Sequence, residues 1–141
     1  MKFIQKQLHL QPKKRGFHLV TSEIEKALPE LRQVKAGFCQ VFIQHTSASL
    51  TINENASATV RKDFETYFNK AVPENDPGFL HNDEGPDDMP AHLKAAILGC
   101  SVLIPVRNGR FGFGTWQGIY LCEHRDNGGS RNLIITIMGD E

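Results

Sequence analysis

The sequence predicts an α+β fold: a single sheet-rich, β-sandwich-like domain carrying a few short helices. Three observations predict it. Runs of β-branched and aromatic residues, bounded by Gly, Pro, Asn or Asp, recur along the chain and read as strands. Helical periodicity is confined to two short stretches in the first two thirds, while the last third is strand after strand. The 141 residues show no internal repeat and no linker, so residues 1–141 form one domain.

Residues 2 to 10 mix apolar and polar side chains and read as a first strand; Pro12 to Gly16 is a basic turn; Gly16 to Val20 is a second strand. The short spacing predicts that the two form a hairpin. His9 and His18 fall in these strands and read as packed or solvent-facing. Ser22 and Glu25 have the spacing of a capping box, and Ile24, Ala27, Leu28 and Leu31 make one apolar face. Pro29 ends or kinks that helix.

Gly37 to Gln44 reads as a buried strand that delivers the polar stretch His45-Thr46-Ser47-Ala48-Ser49, after which Leu50-Thr51-Ile52 resumes β character. Residues 56 to 71 form the longest amphipathic helix, capped by Asn55, with Val60, Phe64, Tyr67, Phe68 and Ala71 as its apolar stripe. Pro90 suits the first turn of a helix over about 90–98. Ser101 to Val106 is a strand that Pro105 demotes toward an edge or a bulge, and Asn108-Gly109 is a type I′ signal closing a hairpin whose second arm runs through Phe111 and Phe113. Strands over 118–124 and 132–138, joined by the Asp126 to Ser130 loop, complete the chain.

Sixteen basic and sixteen acidic side chains cancel, so there is no global basic field for nucleic acid. No run of eighteen apolar residues is present, and the first residues are polar where a signal peptide needs an apolar core; the expectation is a cytoplasmic protein without a membrane partner. Cys39, Cys100 and Cys122 are odd in number and far apart and read as reduced thiols.

The chemistry concentrates between His81 and His92, where two imidazoles and four carboxylates share a stretch broken by Gly85, Pro86 and Pro90. From Ala71 to Leu93 there are six acids and no Lys or Arg. That imbalance calls for a cation, or else full solvation. His45, His81, His92 and His124 are metal candidates, with Asp83, Asp87, Asp88, Glu54 and Glu123 available to orient them. The oxygens alone suit magnesium instead. Ser47 or Ser49 beside His45 has the residue types of a hydrolase triad, without a G-x-S-x-G elbow. Arg107, Arg110, Arg125 and Arg131 are candidates for an anionic substrate. Gly109, Gly112, Gly114 and Gly118 lack dinucleotide spacing, and Trp116 with a strand follows them rather than a helix.

The segments Arg15-Gly16-Phe17-His18, His45 to Leu50, Asn53-Glu54-Asn55-Ala56, His81 to Gly85 with His92, Pro105 to Gly109, Gly114 to Tyr120 and Glu123-His124-Arg125-Asp126 together resemble the YjbQ-like family, also called the secondary thiamine-phosphate synthase family. Ser57-Ala58-Thr59 replaces a proline-containing turn common in that family. The resemblance implies an α+β domain dominated by packed sheet and assembled as a homotrimer. It implies a divalent metal, zinc before magnesium, on His45, His81 and His92. It also implies a weak ability to join an aminopyrimidine diphosphate to a thiazole phosphate, with the principal reaction open. On the matched motifs, Asp83, Glu54, Glu123, Trp116 and Gln117 become the catalytic candidates, and Ser47, Asn53, Asn82, Arg107, Arg125 and Arg131 the contacts to a small phosphorylated metabolite. The alternative is a non-catalytic trimeric module binding a phosphorylated or cationic metabolite. The chain is too short, and lacks the βα alternation, for a (β/α)8 barrel.

Overall fold

A computed structural model describes residues 1–141 as three layers, sheet on sheet on helices. The strands are β1 (Lys2–Leu10), β2 (Gly16–Leu19), β3 (Ala36–Ile43), β4 (Ala48–Glu54), β5 (Ser101–Arg107), β6 (Arg110–Phe111), β7 (Gln117–Glu123) and β8 (Arg131–Asp140). The helices are α1 (Thr21–Ala27), α2 (Ala58–Ala71) and α3 (Asp88–Leu98), with a 3-10 turn over Pro29–Gln33. One antiparallel sheet has the order β1-β8-β3-β5-β6, the other β2-β7-β4.

The predicted α+β, sandwich-like class is therefore the observed one. The hairpin predicted between the first two strands does not form. β1 pairs along its whole length with β8, and β2 pairs with β7 in the other sheet. The Pro12 turn carries the chain from one layer to the next instead of folding it back.

Alternation decides what each strand buries. Leu133, Ile135 and Ile137 of β8, Cys39, Val41 and Ile43 of β3, and Ile104 and Val106 of β5 face inward. They meet Ala48 and Leu50 of β4 and Ile119 and Leu121 of β7 in one core, which Ile24, Leu28 and Leu31 join. β7 is central and covered on both faces, so its residues after Gln117 are all buried, as expected of a strand that reads as a continuous apolar run. Its other face gives Tyr120 and Cys122, with Phe17, to a second cluster under α2 and α3. Phe17 lies 5.2 Å from Phe64 and 5.9 Å from Phe68, ring centre to ring centre. Tyr67, read as part of that stripe, is exposed.

Neither predicted cap forms. Ser22 is inside α1, while Thr21 uses its hydroxyl to accept the Ile119 amide. Asn55 donates to the Gln117 carbonyl, and the Glu54 carboxylate receives the Ala56 and Ser57 amides at the start of α2. The Asn108-Gly109 turn forms as read, both residues having positive φ, but β6 ends at Phe111. β5 is not an edge, because it lies between β3 and β6. The Pro105 carbonyl accepts the Gly112 amide just past the β6 ladder, so its missing N–H falls on that side and leaves the β3 pairing intact.

Candidate functional site

Helix α3 begins at the loop that the sequence singles out. Asp88 and His92 are four residues apart and therefore on one face of its first turn. The preceding loop returns His81 to the same place. His81 Nε2 lies 2.8 Å and His92 Nε2 3.2 Å from the same oxygen, Asp88 Oδ2. Ligand atoms of all three residues lie within 4.8 Å of one another. Asp88 is only 2% exposed, whereas both imidazoles reach solvent.

Asp88 and His92 are both held from behind. The Arg125 guanidinium donates from Nη1 to Asp88 Oδ1 (2.8 Å), from Nε to Asp87 Oδ2 (2.9 Å) and from Nη2 to the Glu84 carbonyl (2.8 Å). The Asp126 amide also donates to Asp87. His92 Nδ1 donates to the Thr46 carbonyl at 2.9 Å, which leaves Nε2 as the nitrogen with the lone pair. Burial works to raise the Asp88 carboxyl. Hydrogen bonds with His81 and Glu84 and the charges of His92 and Arg125 outweigh it and hold its pKa below the ordinary value. Asp87 follows the same pattern, with Arg125 and the Asp126 amide overcoming burial.

These contacts test whether a cation fits. With Nδ1 committed to Thr46, a neutral His92 would point its lone pair at a carboxylate oxygen 3.2 Å away. That arrangement is repulsive unless a proton or a metal lies between them. Two imidazole nitrogens and one carboxylate oxygen, the carboxylate fixed by an arginine, are a donor set that zinc accepts. The residues present fit a divalent metal.

A second polar cluster lies directly beneath. Arg131 donates from Nε to Glu123 Oε1 (2.7 Å) and from Nη2 to Glu123 Oε2 (2.5 Å), and the pair is almost wholly buried. Arg131 Nη2 also reaches Ser47 Oγ at 3.0 Å. The clamp thus fixes the chain next to Thr46, whose carbonyl fixes His92. A Cβ at Gly128 would come within 2.6 Å of the side-chain ends of both Glu123 and Arg131, so any larger residue there would displace the pair. Ser49 Oγ and His124 Nε2 are 2.8 Å apart in the interior. Burial, then the charges of Lys94, Arg131 and Arg15, push the His124 pKa down to about 3.

Of the residues expected from sequence, the structure brings together His81, His92 and Arg125, with Ser47 one contact behind them. His45 is outside the trio: its Nε2 accepts the Asn132 amide at 2.8 Å. Burial and the Arg131 charge lower its pKa. Glu123 and Arg131, read as catalytic and substrate-binding, are locked together and shielded from solvent, so neither has a free face for a substrate. Arg125 has all three guanidinium nitrogens engaged. Asp83 and Asn82 are exposed on the loop, and Asn82 ties it locally through the Phe79 carbonyl. Asn53, Glu54, Trp116 and Gln117 gather elsewhere, where β4 ends opposite the start of β7. Six residues of extended strand, about 20 Å, separate them from the Ala48 end. Arg107 is exposed on β5.

Asp88 is the member of the trio to which sequence reading gave no settled role. Its spacing to His92 was the available signal. Thr46 was visible only as part of the polar stretch after β3, and the buried Lys94, which donates to Asn69 Oδ1 at 2.8 Å beside Arg15, carried no signal at all.

Fold and site together define a small two-sheet α+β domain with a His-Asp-His cluster at the loop end of one helix. Residues 6–140 match the family described as UPF0047 protein YjbQ-like. The chain is 52% identical over 136 residues to the UPF0047 protein YjbQ of Escherichia coli O157:H7, covering 96% of this chain and 98% of that one. It is 38% identical over 120 residues to the UPF0047 protein YugU of Bacillus subtilis strain 168, covering 85% and 87%. Among solved structures, a YjbQ/UPF0047 family protein of Clostridium acetobutylicum superposes with a TM-score of 0.82 at 34% identity, over 94% of this chain and 99% of that one. A YbjQ-like protein of unknown function from Sulfolobus solfataricus P2 gives 0.86 at 25% identity, over 99% of each. This chain belongs to the UPF0047, YjbQ-like family.

Proposed function

We propose that this chain is a metal-dependent enzyme acting on a small phosphorylated metabolite, with His81, Asp88 and His92 as the metal ligands. One observation carries the reading: His92 Nδ1 is spent on the Thr46 carbonyl, so its Nε2 is the free ring nitrogen, and it converges with His81 Nε2 on Asp88 Oδ2. A bound zinc ion would supply Lewis-acid stabilisation of charge on a phosphoryl or leaving oxygen. The chain's own residues do the rest. Arg125 orients Asp88, Thr46 fixes the His92 tautomer, and the buried Glu123–Arg131 pair holds Thr46 in place.

Because Arg125 and Arg131 are both consumed by carboxylates, the cation that meets a phosphate is the metal and not an arginine. The side reaction to assay first is thiamine phosphate formation. In it the pyrimidine methylene loses diphosphate with the bonding electron pair, and the thiazole nitrogen supplies the pair for the new C–N bond. Metal analysis of purified wild type, His81→Ala and His92→Ala is the direct test. Wild type is expected to carry about one zinc equivalent per chain and the variants almost none. Equally negligible metal in all three would remove the reading.

The assembly proposed is a homotrimer. Its support is the outer face of the five-stranded sheet, which no element covers. Cross-strand pairing places Phe3, Met138, Phe38 and Pro105 in one row across that face. Phe3 is 70% and Phe38 48% exposed, an apolar patch that calls for a partner surface. No helix is long and apolar enough to cross a membrane.

A further inference from the structure

A shallow groove of about 490 Å³ runs from His92 along α3, between His45 and Cys100, floored by Ala48, Ala95 and Ala96. Nothing in the metal reading uses it. Three features make it more than a surface dent. Its walls are small and apolar, so it accepts a flat or compact apolar group. It is continuous with the metal trio, because His92 belongs to both. At its other side stands one polar group whose hydrogen-bonding state is fixed.

That group is His45. A backbone N–H can only donate, so the Asn132 amide makes His45 Nε2 an acceptor. The proton of the neutral ring is then on Nδ1. Metal ligation through Nδ1 would require the opposite tautomer, with an N–H on Nε2 facing the Asn132 N–H at 2.8 Å. Two donors cannot meet at that distance. His45 is thereby built as a neutral hydrogen-bond donor and not as a ligand.

We propose that this groove is the substrate subsite of the His81-Asp88-His92 centre. It takes the apolar ring or short carbon skeleton of an anionic metabolite whose charged oxygens meet the metal, and His45 Nδ1–H donates to an acceptor atom on that skeleton. The inference rests on the metal reading for the charged end only; the groove and the tautomer of His45 stand on their own contacts. The substrate class is thus a compact molecule, anionic at one end and apolar with an acceptor at the other, within the volume usual for small-ligand pockets.

Cys100 supplies the readout. It is the one exposed cysteine, while Cys39 and Cys122 are buried, with thiols pushed by burial up to about 12. Alkylation by iodoacetamide therefore reports on the groove, counted by intact mass. The probes are zinc, phenyl phosphate, 4-nitrophenyl phosphate and inorganic phosphate, each applied to wild type, His45→Gln and His92→Gln. Zinc affinity is expected to fall by about tenfold or more in His92→Gln and to stay within about twofold of wild type in His45→Gln. Phenyl phosphate, which fills the groove but carries no acceptor on its ring, is expected to slow Cys100 alkylation of the zinc form several-fold in wild type and His45→Gln alike. 4-Nitrophenyl phosphate, whose nitro oxygens accept, is expected to slow it further in wild type and not in His45→Gln, and equal slowing by it in both overturns the donor role. Inorganic phosphate, too small to fill the groove, is expected not to slow it.

A zinc loss in His45→Gln matching that in His92→Gln overturns the donor role. Alkylation indifferent to phenyl phosphate, or slowed equally by inorganic phosphate, overturns the groove. Wild type that takes no zinc defeats the proposed function instead. The groove is then decided by phenyl phosphate alone on the metal-free protein: protection of Cys100 keeps it, and no protection ends it.

Discussion

Arg125 and Asp88 meet through a 2.8 Å hydrogen bond from Nη1 to Oδ1, on the side of the carboxylate away from the two imidazoles. The arginine thus sets which oxygen is left for a metal without touching the metal itself. Arg125→Lys keeps a positive charge but cannot also reach Asp87 and Glu84. It is expected to weaken zinc binding by about 10- to 100-fold, the range found for residues that orient ligands. Isothermal titration with zinc, beside an unchanged far-ultraviolet dichroism spectrum, checks it.

The buried Glu123–Arg131 pair is expected to be strongly destabilising to break and cheap to remove whole. Glu123→Gln leaves an uncompensated interior guanidinium and costs about 3–5 kcal/mol. The double variant Glu123→Leu/Arg131→Met is expected to cost clearly less than the sum of its single changes. Urea denaturation of the four proteins gives the coupling directly.

His124 predicts the acid limb of stability. The folded protein keeps this ring neutral to about pH 3, whereas an unfolded histidine takes up a proton near 6.5. Between these values the unfolded state binds more protons, so stability falls as pH falls. The contribution is fully present above pH 6.5 and is lost progressively toward pH 3, by up to about 1.4 kcal/mol per pH unit. Asp87 and Asp88, with lowered pKa values, add their losses only at the acid end. Urea midpoints between pH 7 and 4 should decline in wild type and flatten in His124→Gln; an equal slope in both would refute the assignment.

Phe38 is expected to sit in an interface between copies. Phe38→Glu puts a charge in the middle of the Phe3-Met138-Phe38-Pro105 row and should turn the wild-type oligomer into a monomer of unchanged fold. Light scattering after gel filtration decides it. A wild type that elutes as a monomer would count against the trimer outright.

Much of the fold is legible locally because each strand states its own alternation and each turn its own residues. Asn108-Gly109 dictates a hairpin by itself. What is not legible is pairing across distance: β1 reads as the neighbour of β2 because they are adjacent in sequence, yet each finds its partner near the other end of the chain. The site shows the same division. His81 and His92 stand out by composition, and Asp88 was available from its helical spacing to His92. Glu123 and Arg131 carry the residue types of catalysis, and only burial reveals that they hold each other. His45 is a ligand candidate in sequence, and only the Asn132 amide on its Nε2 reveals its tautomer.

The strand orders have a consequence for biosynthesis. β8 lies between β1 and β3, and β7 between β2 and β4. Each sheet therefore waits for a central strand that leaves the ribosome late. Until then β1, β2 and β4 have no strand to pair with and β3 keeps one open edge, a state prone to association with other nascent chains. Folding of this domain must be a late and largely concerted event, not a stepwise one that follows translation.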